Sequence, residues 1–517
     1  MTTISPLQIE GAVETLNDVI QGLGVEVLLP MFILAIALLF RVEVGQAVKS
    51  ALLIGVGFVG IFLVIGLFGD NVGPLANQMV EVTGVDLPAV DVGWPAAAAI
   101  AFGIAEMGIW VIPLFVALNL ALFGIGFTYT INVDIWNYWH FAFIAGLVYM
   151  ATDQWGLSMG IGLTFGMFCL VAGDWFQPAI EETFDTPGIS IPHGTSIPFA
   201  IAAMPIYAVM RRVPGLSETT WDPNTIQDRL GVFGEPVVLG VFLGFVIGLG
   251  AWAENLFTFE AWVTGAGDVP PIPVAAITFA AVLHILPMMV GILMEGLTPL
   301  ADQIRDFMTS RYEGRDMAIG LDSAILIGHE STIAASLIIV PIAIVMSIVL
   351  PGSDLLWGVD LATFPFFFAM MVPLMDGDVV DMVIAGIVLL IPLHYTAGSV
   401  APLLTEAAAA AEFDLGEASL ITSGVADGGS PATALLAIPG QELGITGAWL
   451  SMAIALLSTL GLWVALRTWP KRMYMIAGAS EQKADEHVQL RHTGESAGVL
   501  PNKFGSRVEP EEIKPGD

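Results

Sequence analysis

Long runs of apolar residues constrain the fold of this chain more than any other feature. Residues 27–40 (VLLPMFILAIALLF) and 447–466 (GAWLSMAIALLSTLGLWVAL) are long enough, or nearly so, to cross a hydrocarbon core of about 30 Å as helices. Only 13% of the 517 residues are charged, whereas about 25% is usual in soluble domains. We therefore predict an all-α polytopic membrane protein with about 10–11 transmembrane helices and re-entrant hairpins among them.

The few basic residues indicate how the chain is oriented in the membrane. Three groups lie between apolar spans: Arg41 with Lys49; Arg211 and Arg212 with Arg229; and Arg305 and Arg311 with Arg315. The remaining basic residues begin at Arg467 and continue to the C-terminus. By the positive-inside rule these groups mark cytoplasmic loops and a cytoplasmic tail. The first 40 residues carry no Lys or Arg, which predicts an external N-terminus and no cleavable signal peptide.

Three segments follow from these patterns. Residues 1–24 read as an amphipathic helix, 25–466 as the transmembrane domain, and 467–517 as a disordered cytoplasmic tail. The tail histidines His487 and His492 are expected to be solvated. The net charge of −33, with Arg favoured over Lys, is typical of a halophile, because high salt screens self-repulsion. Nucleic acid is an unexpected partner for so acidic a chain.

A weak internal echo suggests two related halves. Residues 52–68 resemble 237–252, and 131–140 resemble 319–329, both at an offset of about 185 residues. Duplicated halves are common in transporters, although chance similarity between apolar segments is the alternative.

The nucleotide-binding patterns are absent or out of place. GVGFVG at 55–60 matches G-x-G-x-x-G but lies inside an apolar span, where close helix packing through glycine explains it better. No glycine is followed by lysine, so the chain has no P-loop. The single cysteine, Cys169, lies in an apolar segment and is expected to be a small core residue.

Ionisable residues within apolar sequence are the candidates for function, because they are costly at membrane depth and mostly face a cavity. The histidines of this kind are His140, His193, His284, His329 and His394. The acids are Glu106, Asp134, Asp174, Glu235, Asp322, Glu330, Asp376 and Asp427. The alternative for each is a structural role in packing or as a helix cap, and Asp322 before Ser323 fits a cap. Their spacing matches no compact metal motif, so no metal or cofactor is predicted.

Pro and Gly interrupt the apolar sequence beside several of these residues, in GWP, IPHGTS, FGEP and ADGGSP. Irregular backbone survives within a bilayer only where protein or a water-filled cavity covers it. Tryptophan and tyrosine near His, Asp and Asn suit a carbohydrate, because rings pack on C–H faces while polar groups bind hydroxyls. These breaks predict a transporter with a polar, ring-lined substrate site.

Nine stretches together carry a more specific signal: GVGFVGIFLVIGL, VDVGWP, NVDIWNYWH, GDW, GISIPHGTS, FGEPV, GLTPLADQ, IGLDSAILIGH and DGGSP. In this order they resemble the galactitol-type IIC permeases of the phosphoenolpyruvate-dependent sugar phosphotransferase system, within the ascorbate/galactitol superfamily. The resemblance implies a membrane homodimer with a scaffold domain and a core domain. The core would carry a galactitol-like sugar or polyol inward by an elevator-like movement.

The resemblance also implies partners. A separate IIB protein, supplied by IIA, would phosphorylate the substrate from a phosphocysteine in a soluble domain. This chain has only Cys169 and no soluble segment large enough for IIA or IIB. It is therefore expected to be a transport subunit without a complete catalytic site of its own.

The resemblance places the substrate on six residues: Trp94, His140, Phe141, His193, Gly194 and Asp322. Glu235, His329 and Asp427 are secondary candidates, and His193 is the candidate proton acceptor for a substrate hydroxyl. The ascorbate type has a glutamine where this chain has Ile144 or Ala145, so the identity of the substrate does not follow.

Two other functions compete with this interpretation. An ion-coupled transporter that kept the fold would use acids such as Glu106 and Glu330 as proton or sodium sites. A membrane sensor or scaffold that does not transport is the other possibility, and the repeated polar breaks argue against it.

Overall fold

The computed structural model describes residues 25–39, 41–85, 87–104, 107–134, 136–213, 236–311, 317–411 and 420–493. The predicted helix at 1–24 lies outside the described residues, as do Glu106 and Glu235.

Two series of elements with a similar order follow one another along the chain. The first comprises α1 (Val25–Leu39), α2 (Val44–Thr83), β1 (Ala89–Asp91), α3 (Gly93–Gly103), α4 (Met107–Gly124), β2 (Thr130–Asn132), α5 (Trp139–Thr152), α6 (Trp155–Phe184), β3 (Ile189–Ser190) and α7 (Ser196–Met210). The second comprises α8 (Pro236–Ala251), α9 (Ile272–Arg311), β4 (Ala318–Gly320), α10 (Glu330–Val349), β5 (Leu355–Leu356), α11 (Phe364–Phe368), α12 (Met371–Leu374), α13 (Val379–Ala410), β6 (Leu420–Thr422), α14 (Pro431–Leu436) and α15 (Ile438–Thr468). We refer to these series as the first and second halves.

The short strands connect the two halves, because each half contributes edge strands to a sheet whose central strand belongs to the other half. In one sheet β1 lies between β5 and β6, and in the other β4 lies between β2 and β3, with every neighbour parallel. Ala89 lies opposite Leu355 and Leu420, and Ala318 lies opposite Thr130. The first strand of each half is thus central in a sheet whose edges come from the other half. An approximate two-fold relation between duplicated halves produces this pattern.

The repeat exists, but its predicted offset is wrong. From Ala89 to Ala318 the shift is 229 residues, and the corresponding helices α2 and α9 each have 40 residues. The sequence echo at about 185 residues instead matched α2 with α8 and β2 with β4. Membrane helices share an apolar composition whatever their position, so similarity between 52–68 and 237–252 did not indicate equivalence.

Helix boundaries follow local side-chain chemistry. Gly84 ends α2 in the left-handed conformation, with φ of 67°, which glycine adopts without steric cost. Asp378 begins α13 by accepting a hydrogen bond from the Asp381 amide, and Ser430 begins α14 by accepting one from the Thr433 amide. These caps satisfy helix N–H groups that have no intrahelical partner.

Four described helices are long and apolar enough to cross a membrane: Trp155–Phe184, Glu330–Val349, Val379–Ala410 and Pro431–Thr468. Large apolar side chains are exposed on the outside, including Leu52 and Leu63 on α2 and Leu457 on α15. Such faces suit contact with lipid tails. The prediction of an all-α polytopic membrane protein is confirmed, with two small sheets that the sequence did not reveal.

The prediction of a disordered tail is wrong for part of its length. Helices α16 (Pro470–Ile476) and α17 (Glu481–Thr493) follow α15 and pack against α6. His487, expected in solvent, is 2% exposed, and its Nε2 lies 3.1 Å from Glu181 of α6. Lys483 contacts the same carboxylate at 3.2 Å, and although partial burial lowers the pKa of Lys483, Glu181 and Glu486 raise it overall.

Arg491 explains why so polar a segment folds. It is 8% exposed, lies 4.4 Å from the ring centre of Tyr129, and donates to the carbonyl of Asp174 and the hydroxyl of Tyr474. Charge-assisted hydrogen bonds and cation–π contact compensate its burial. The charged composition of this segment predicted that it would be solvated, whereas acidic and aromatic side chains of the membrane domain bind its basic residues. Residues 494–517 lie outside the described range.

Candidate functional site

A narrow cavity of about 40 Å³ lies where the two halves meet. The first half contributes Trp94, Asn137, Trp139, His140, His193 and Thr195, and the second contributes Asp322, Thr363, Phe366, Val425 and Ala426. The lining combines aromatic rings with hydroxyl, amide, imidazole and carboxylate groups. This combination provides flat apolar surfaces and convergent polar groups in one narrow cavity.

All six strands point their carboxyl ends toward this cavity. Trp94 follows β1 and Asp322 follows β4 within a few residues, and Asn137 and Thr363 follow β2 and β5 in the same way. His193 follows β3 as Asp427 follows β6. Because the strands are parallel within each sheet, their ends bring these segments together. The cavity is therefore built from equivalent positions of the duplicated halves.

The buried polar centre is a chain of hydrogen bonds. Asp427 Oδ2 lies 2.6 Å from His140 Nδ1, and His140 Nε2 lies 3.3 Å from His193 Nε2. His193 Nδ1 accepts a hydrogen bond from the Ser196 amide at 3.1 Å. Asp427 Oδ1 accepts one from the Thr195 hydroxyl at 2.9 Å. Asp427 and His140 are each 1% exposed, so their interactions are little screened by solvent.

Asp322 approaches the same nitrogen of His193 that faces His140. Its Oδ1 is 3.6 Å from His193 Nε2 and accepts a hydrogen bond from the Ala324 amide at 2.7 Å. Asp322 is thus the predicted helix cap and a cavity residue at once. The His193 ring also stacks on Phe366, with ring centres 5.8 Å apart. The imidazole is held between a carboxylate, a second imidazole and a ring.

A pair of buried carboxylates, Asp91 and Asp360, positions the wall that carries Trp94. Asp91 accepts hydrogen bonds from the amides of Gly358, Gly424 and Asp360, among others. Asp360 accepts from the Trp94 amide at 2.9 Å, the Ala426 amide at 3.0 Å and the Ser423 hydroxyl at 2.6 Å. These bonds connect the ends of β1, β5 and β6.

Two of the predicted substrate residues support the cavity without lining it. Phe141 is fully buried and its ring packs on Phe115 and Phe165 in the core. A Cβ on Gly194 would lie 2.4 Å from His140 Cβ, so glycine lets the His193 segment approach His140. Trp94, His140, His193 and Asp322 all line the cavity.

The secondary candidates separate. Asp427 joins the site through His140, whereas His329 lies elsewhere, at the start of α10. His329 Nδ1 accepts a hydrogen bond from the Ser331 amide, and the residue lines a different, wider polar cavity with Glu330 and Asp376. Glu235 lies outside the described residues. Within the described residues no group of three or more His, Cys, Asp or Glu could hold a metal ion.

Sequence reasoning missed Asn137, Trp139, Thr363 and Phe366. The signal for the last two was the dipeptide Val-Asp, which occurs at 133–134 after β2 and at 359–360 after β5. Counting from it aligns Asn137 with Thr363 and His140 with Phe366. The repeat offset near 185 hid this correspondence.

Comparison with known proteins agrees with the resemblance in the motifs. A family model described as the sugar-specific permease component of the phosphotransferase system (EIIC-GAT) matches residues 18–418. This chain belongs to that family. The galactitol-specific EIIC component of Escherichia coli K12 is 34% identical over 417 residues, which cover 81% of the permease described here and 89% of the relative. A putative permease IIC component of the same strain is 33% identical over 410 residues, which cover 78% and 90%.

The permease is therefore a multi-pass membrane subunit of a sugar or polyol phosphotransferase system. Its family match ends at residue 418, before β6 and Asp427, and the polar chain through His140 extends beyond it.

Proposed function

We propose that the permease binds a galactitol-like polyol in the cavity between its halves and carries it inward for phosphorylation by a separate IIB protein. The observation that carries this proposal is the convergence of Trp94, His140, His193 and Asp322 on one narrow cavity. These four residues come from three separate strand ends of the first half and one of the second. A shared binding site accounts for their meeting better than four independent packing roles.

The lining suits an uncharged polyhydroxyl ligand. Trp94, Trp139 and Phe366 offer ring faces for C–H groups, while Asp322, His193 and Asn137 offer hydrogen-bonding atoms for hydroxyls. A carboxylate can accept charge-assisted hydrogen bonds from two hydroxyls, and an imidazole can donate a directional hydrogen bond to a third. The name of the Escherichia coli relative, a galactitol-specific component, supports a hexitol as the first ligand to examine.

Phosphorylation requires a partner because this chain offers no suitable carrier. Its one cysteine, Cys169, is fully buried within α6 and so is inaccessible to a phosphoryl donor. The substrate hydroxyl would instead meet a phosphocysteine on the IIB protein. The part of the permease is then to hold that hydroxyl in position, which is the larger share of catalysis in phosphoryl transfer.

We further propose that the domain division follows the repeat. Helices α1, α2, α8 and α9 pack mainly on one another, which suits a scaffold that dimerises. The sheets and remaining helices surround the cavity, which suits a core that moves in elevator fashion. Arg467 lies in the last turn of α15, Lys471 and Arg472 follow that helix, and the positive-inside rule favours a cytoplasmic side for all three.

A matched pair of aspartates tests the binding site. Asp322 and Asp378 are both buried and both cap a helix, but only Asp322 lines the cavity. Asparagine caps as well as aspartate, so each Asn variant should fold. We expect galactitol to raise the Tm of the wild type and of Asp378→Asn equally, because a ligand that binds the folded state stabilises it. In Asp322→Asn the affinity read from this shift should fall about 10-fold or more, since a charged hydrogen-bond acceptor is lost.

Two outcomes would contradict the proposal. One is an equal loss of galactitol binding in both variants, and the other is no shift with any hexitol, pentitol or ketose. Uptake by reconstituted vesicles distinguishes the proposed function from the ion-coupled alternative. An ion-coupled transporter would take up substrate in response to a proton or sodium gradient, without phosphoenolpyruvate and IIB. Glu330, a site residue of that alternative, is exposed at the start of α10 and away from the cavity.

A further inference from the structure

One backbone amide determines where the protons lie in the buried chain of Asp427, His140 and His193. The Ser196 N–H can only donate, and its acceptor is His193 Nδ1 at 3.1 Å. A proton on Nδ1 would place two N–H groups against each other. The neutral His193 ring therefore carries its proton on Nε2.

The same reasoning extends to the second ring. His193 Nε2 lies 3.3 Å from His140 Nε2 and 3.6 Å from Asp322 Oδ1, and the second distance is too long for a hydrogen bond, so the proton on His193 is donated to a lone pair on His140. The neutral His140 ring then carries its proton on Nδ1, which lies 2.6 Å from the Asp427 carboxylate. Each hydrogen bond in the chain has one donor and one acceptor in this arrangement. The Thr195 hydroxyl donates to the other oxygen of Asp427, so the carboxylate is held in place.

These tautomers give the two histidines opposite roles. We infer that His140 Nε2 is the proton acceptor for the substrate hydroxyl, and that His193 Nε2–H donates to the oxygen of that hydroxyl. The inference rests on the proposed binding of a polyol in this cavity. It replaces His193 as the acceptor, because His193 has one ring nitrogen occupied by an amide and the other protonated.

The substrate hydroxyl would lie between the two rings. Two hydrogen bonds of about 2.8 Å span more than the present 3.3 Å, so the rings separate by roughly 1–2 Å to admit it. The hydroxyl oxygen then attacks phosphorus of the IIB phosphocysteine, the P–S bond breaks, and the cysteine leaves as a thiolate. The hydroxyl proton passes to His140 Nε2, and the resulting imidazolium is stabilised by Asp427. In other general-base histidines, a carboxylate bonded to the second ring nitrogen orients the imidazole and stabilises the imidazolium in the same way.

Two amide substitutions distinguish the roles. His140→Asn places an amide near the Nδ1 position, where it can still donate to Asp427, but removes the Nε2 lone pair. His193→Gln places an amide near the Nε2 position, where it can still donate to the hydroxyl. Galactitol affinity is measured by thermal shift, and phosphorylation is measured with phosphoenolpyruvate, the carrier proteins and IIB at saturating galactitol.

We expect His140→Asn to bind galactitol within about 10-fold of the wild type and to lose phosphorylation by about 100-fold or more, the usual contribution of a general base. His193→Gln should weaken binding by about 10-fold and keep saturated phosphorylation within about 10-fold. Equal losses of saturated phosphorylation in the two variants would overturn the inference. So would a His140→Asn protein that binds galactitol and phosphorylates it at the wild-type rate.

A direct measurement keeps the test decisive if either variant fails to fold. The ¹⁵N shifts of the imidazoles in the wild-type protein distinguish the two neutral tautomers. We expect a proton on Nδ1 of His140 and on Nε2 of His193, and the reverse in either ring would refute the assignment. Absence of galactitol binding by the wild type would instead count against the proposed function, because the tautomers do not depend on it.

Discussion

The segments after β3 and β6 occupy the same place in the two halves, yet carry different chemistry. Each follows the edge strand of a sheet and reaches a serine at the start of a helix: His193, Gly194, Thr195 and Ser196 in the first half, and Asp427, Gly428, Gly429 and Ser430 in the second. The functional side chain stands three residues before that serine in both. Duplication supplied the position, and divergence placed an imidazole on one side and a carboxylate on the other.

The difference lies in what caps the helix. In the second half the Ser430 hydroxyl caps α14, which leaves the Asp427 carboxylate to contact His140. In the first half His193 itself accepts the Ser196 amide. A residue that caps its own helix has its tautomer determined by the backbone. In the first half the capped amide thus also determines which ring nitrogen of the histidine carries the proton. A serine cap would leave the tautomer of that histidine undetermined.

The glycines of the two segments provide the largest expected effects. A Cβ on Gly428 would lie 2.0 Å from the backbone oxygen of Ser423, which is part of the β6 end, so the backbone itself must move. We expect Gly428→Ala to lower the free energy of unfolding by about 3 kcal/mol and to abolish galactitol binding. A Cβ on Gly194 would meet the His140 side chain at 2.4 Å. Gly194→Ala should cost less stability, about 1–2 kcal/mol, and still weaken binding.

The control for both is Gly440→Ala, since a Cβ on that buried glycine would approach its nearest neighbour, Val148, only to 3.7 Å. Thermal unfolding and galactitol titration of the three variants provide the comparison. If Gly440→Ala is as damaging as Gly428→Ala, close approach at the strand ends is not the cause.

Asp134 after β2 and Asp360 after β5 provide a second comparison between the two halves, for which we expect an intermediate effect on galactitol binding. Asp360 accepts hydrogen bonds from Trp94, Ser423 and Ala426, whereas Asp134 accepts longer ones, at 3.2 and 3.4 Å, from Asn137 nearby. An asparagine at 360 turns an NH₂ toward one of those donors. We expect Asp360→Asn to weaken galactitol binding about 10- to 100-fold, because unsatisfied buried groups cost about 1–3 kcal/mol each.

Asp134→Asn serves as the matched control, at the corresponding place in the other half. Its effect on the galactitol dissociation constant should be several-fold smaller. A larger loss of binding in Asp134→Asn than in Asp360→Asn would mean that the wall carrying Trp94 is not positioned as we describe.

Four of the six predicted substrate residues line one cavity, whereas the two sheets around it were not predicted. The family resemblance nominated Trp94, His140, His193 and Asp322, and the last three also stand out as ionisable residues within apolar sequence. The strands were missed because two or three residues show no measurable periodicity. The resemblance nominated Phe141, but its ring faces the core, because neighbouring residues of a helix point in different directions. The tail was misjudged because its partners, such as Glu181 for Lys483, are distant in sequence.

His329 gives the smallest expected effect and separates capping from chemistry. Like His193, it accepts a helix amide through Nδ1, from Ser331 at 3.2 Å, but it lies at another cavity. We expect His329→Ala to lower the free energy of unfolding by about 1 kcal/mol, as for a lost cap, and to change the galactitol dissociation constant less than two-fold. His329→Asn should recover the stability, because asparagine is a good cap. Thermal unfolding with and without galactitol measures both quantities. A ten-fold loss of binding in His329→Ala would show that the substrate site extends to α10, and the two capping histidines would then share a function as well as a geometry.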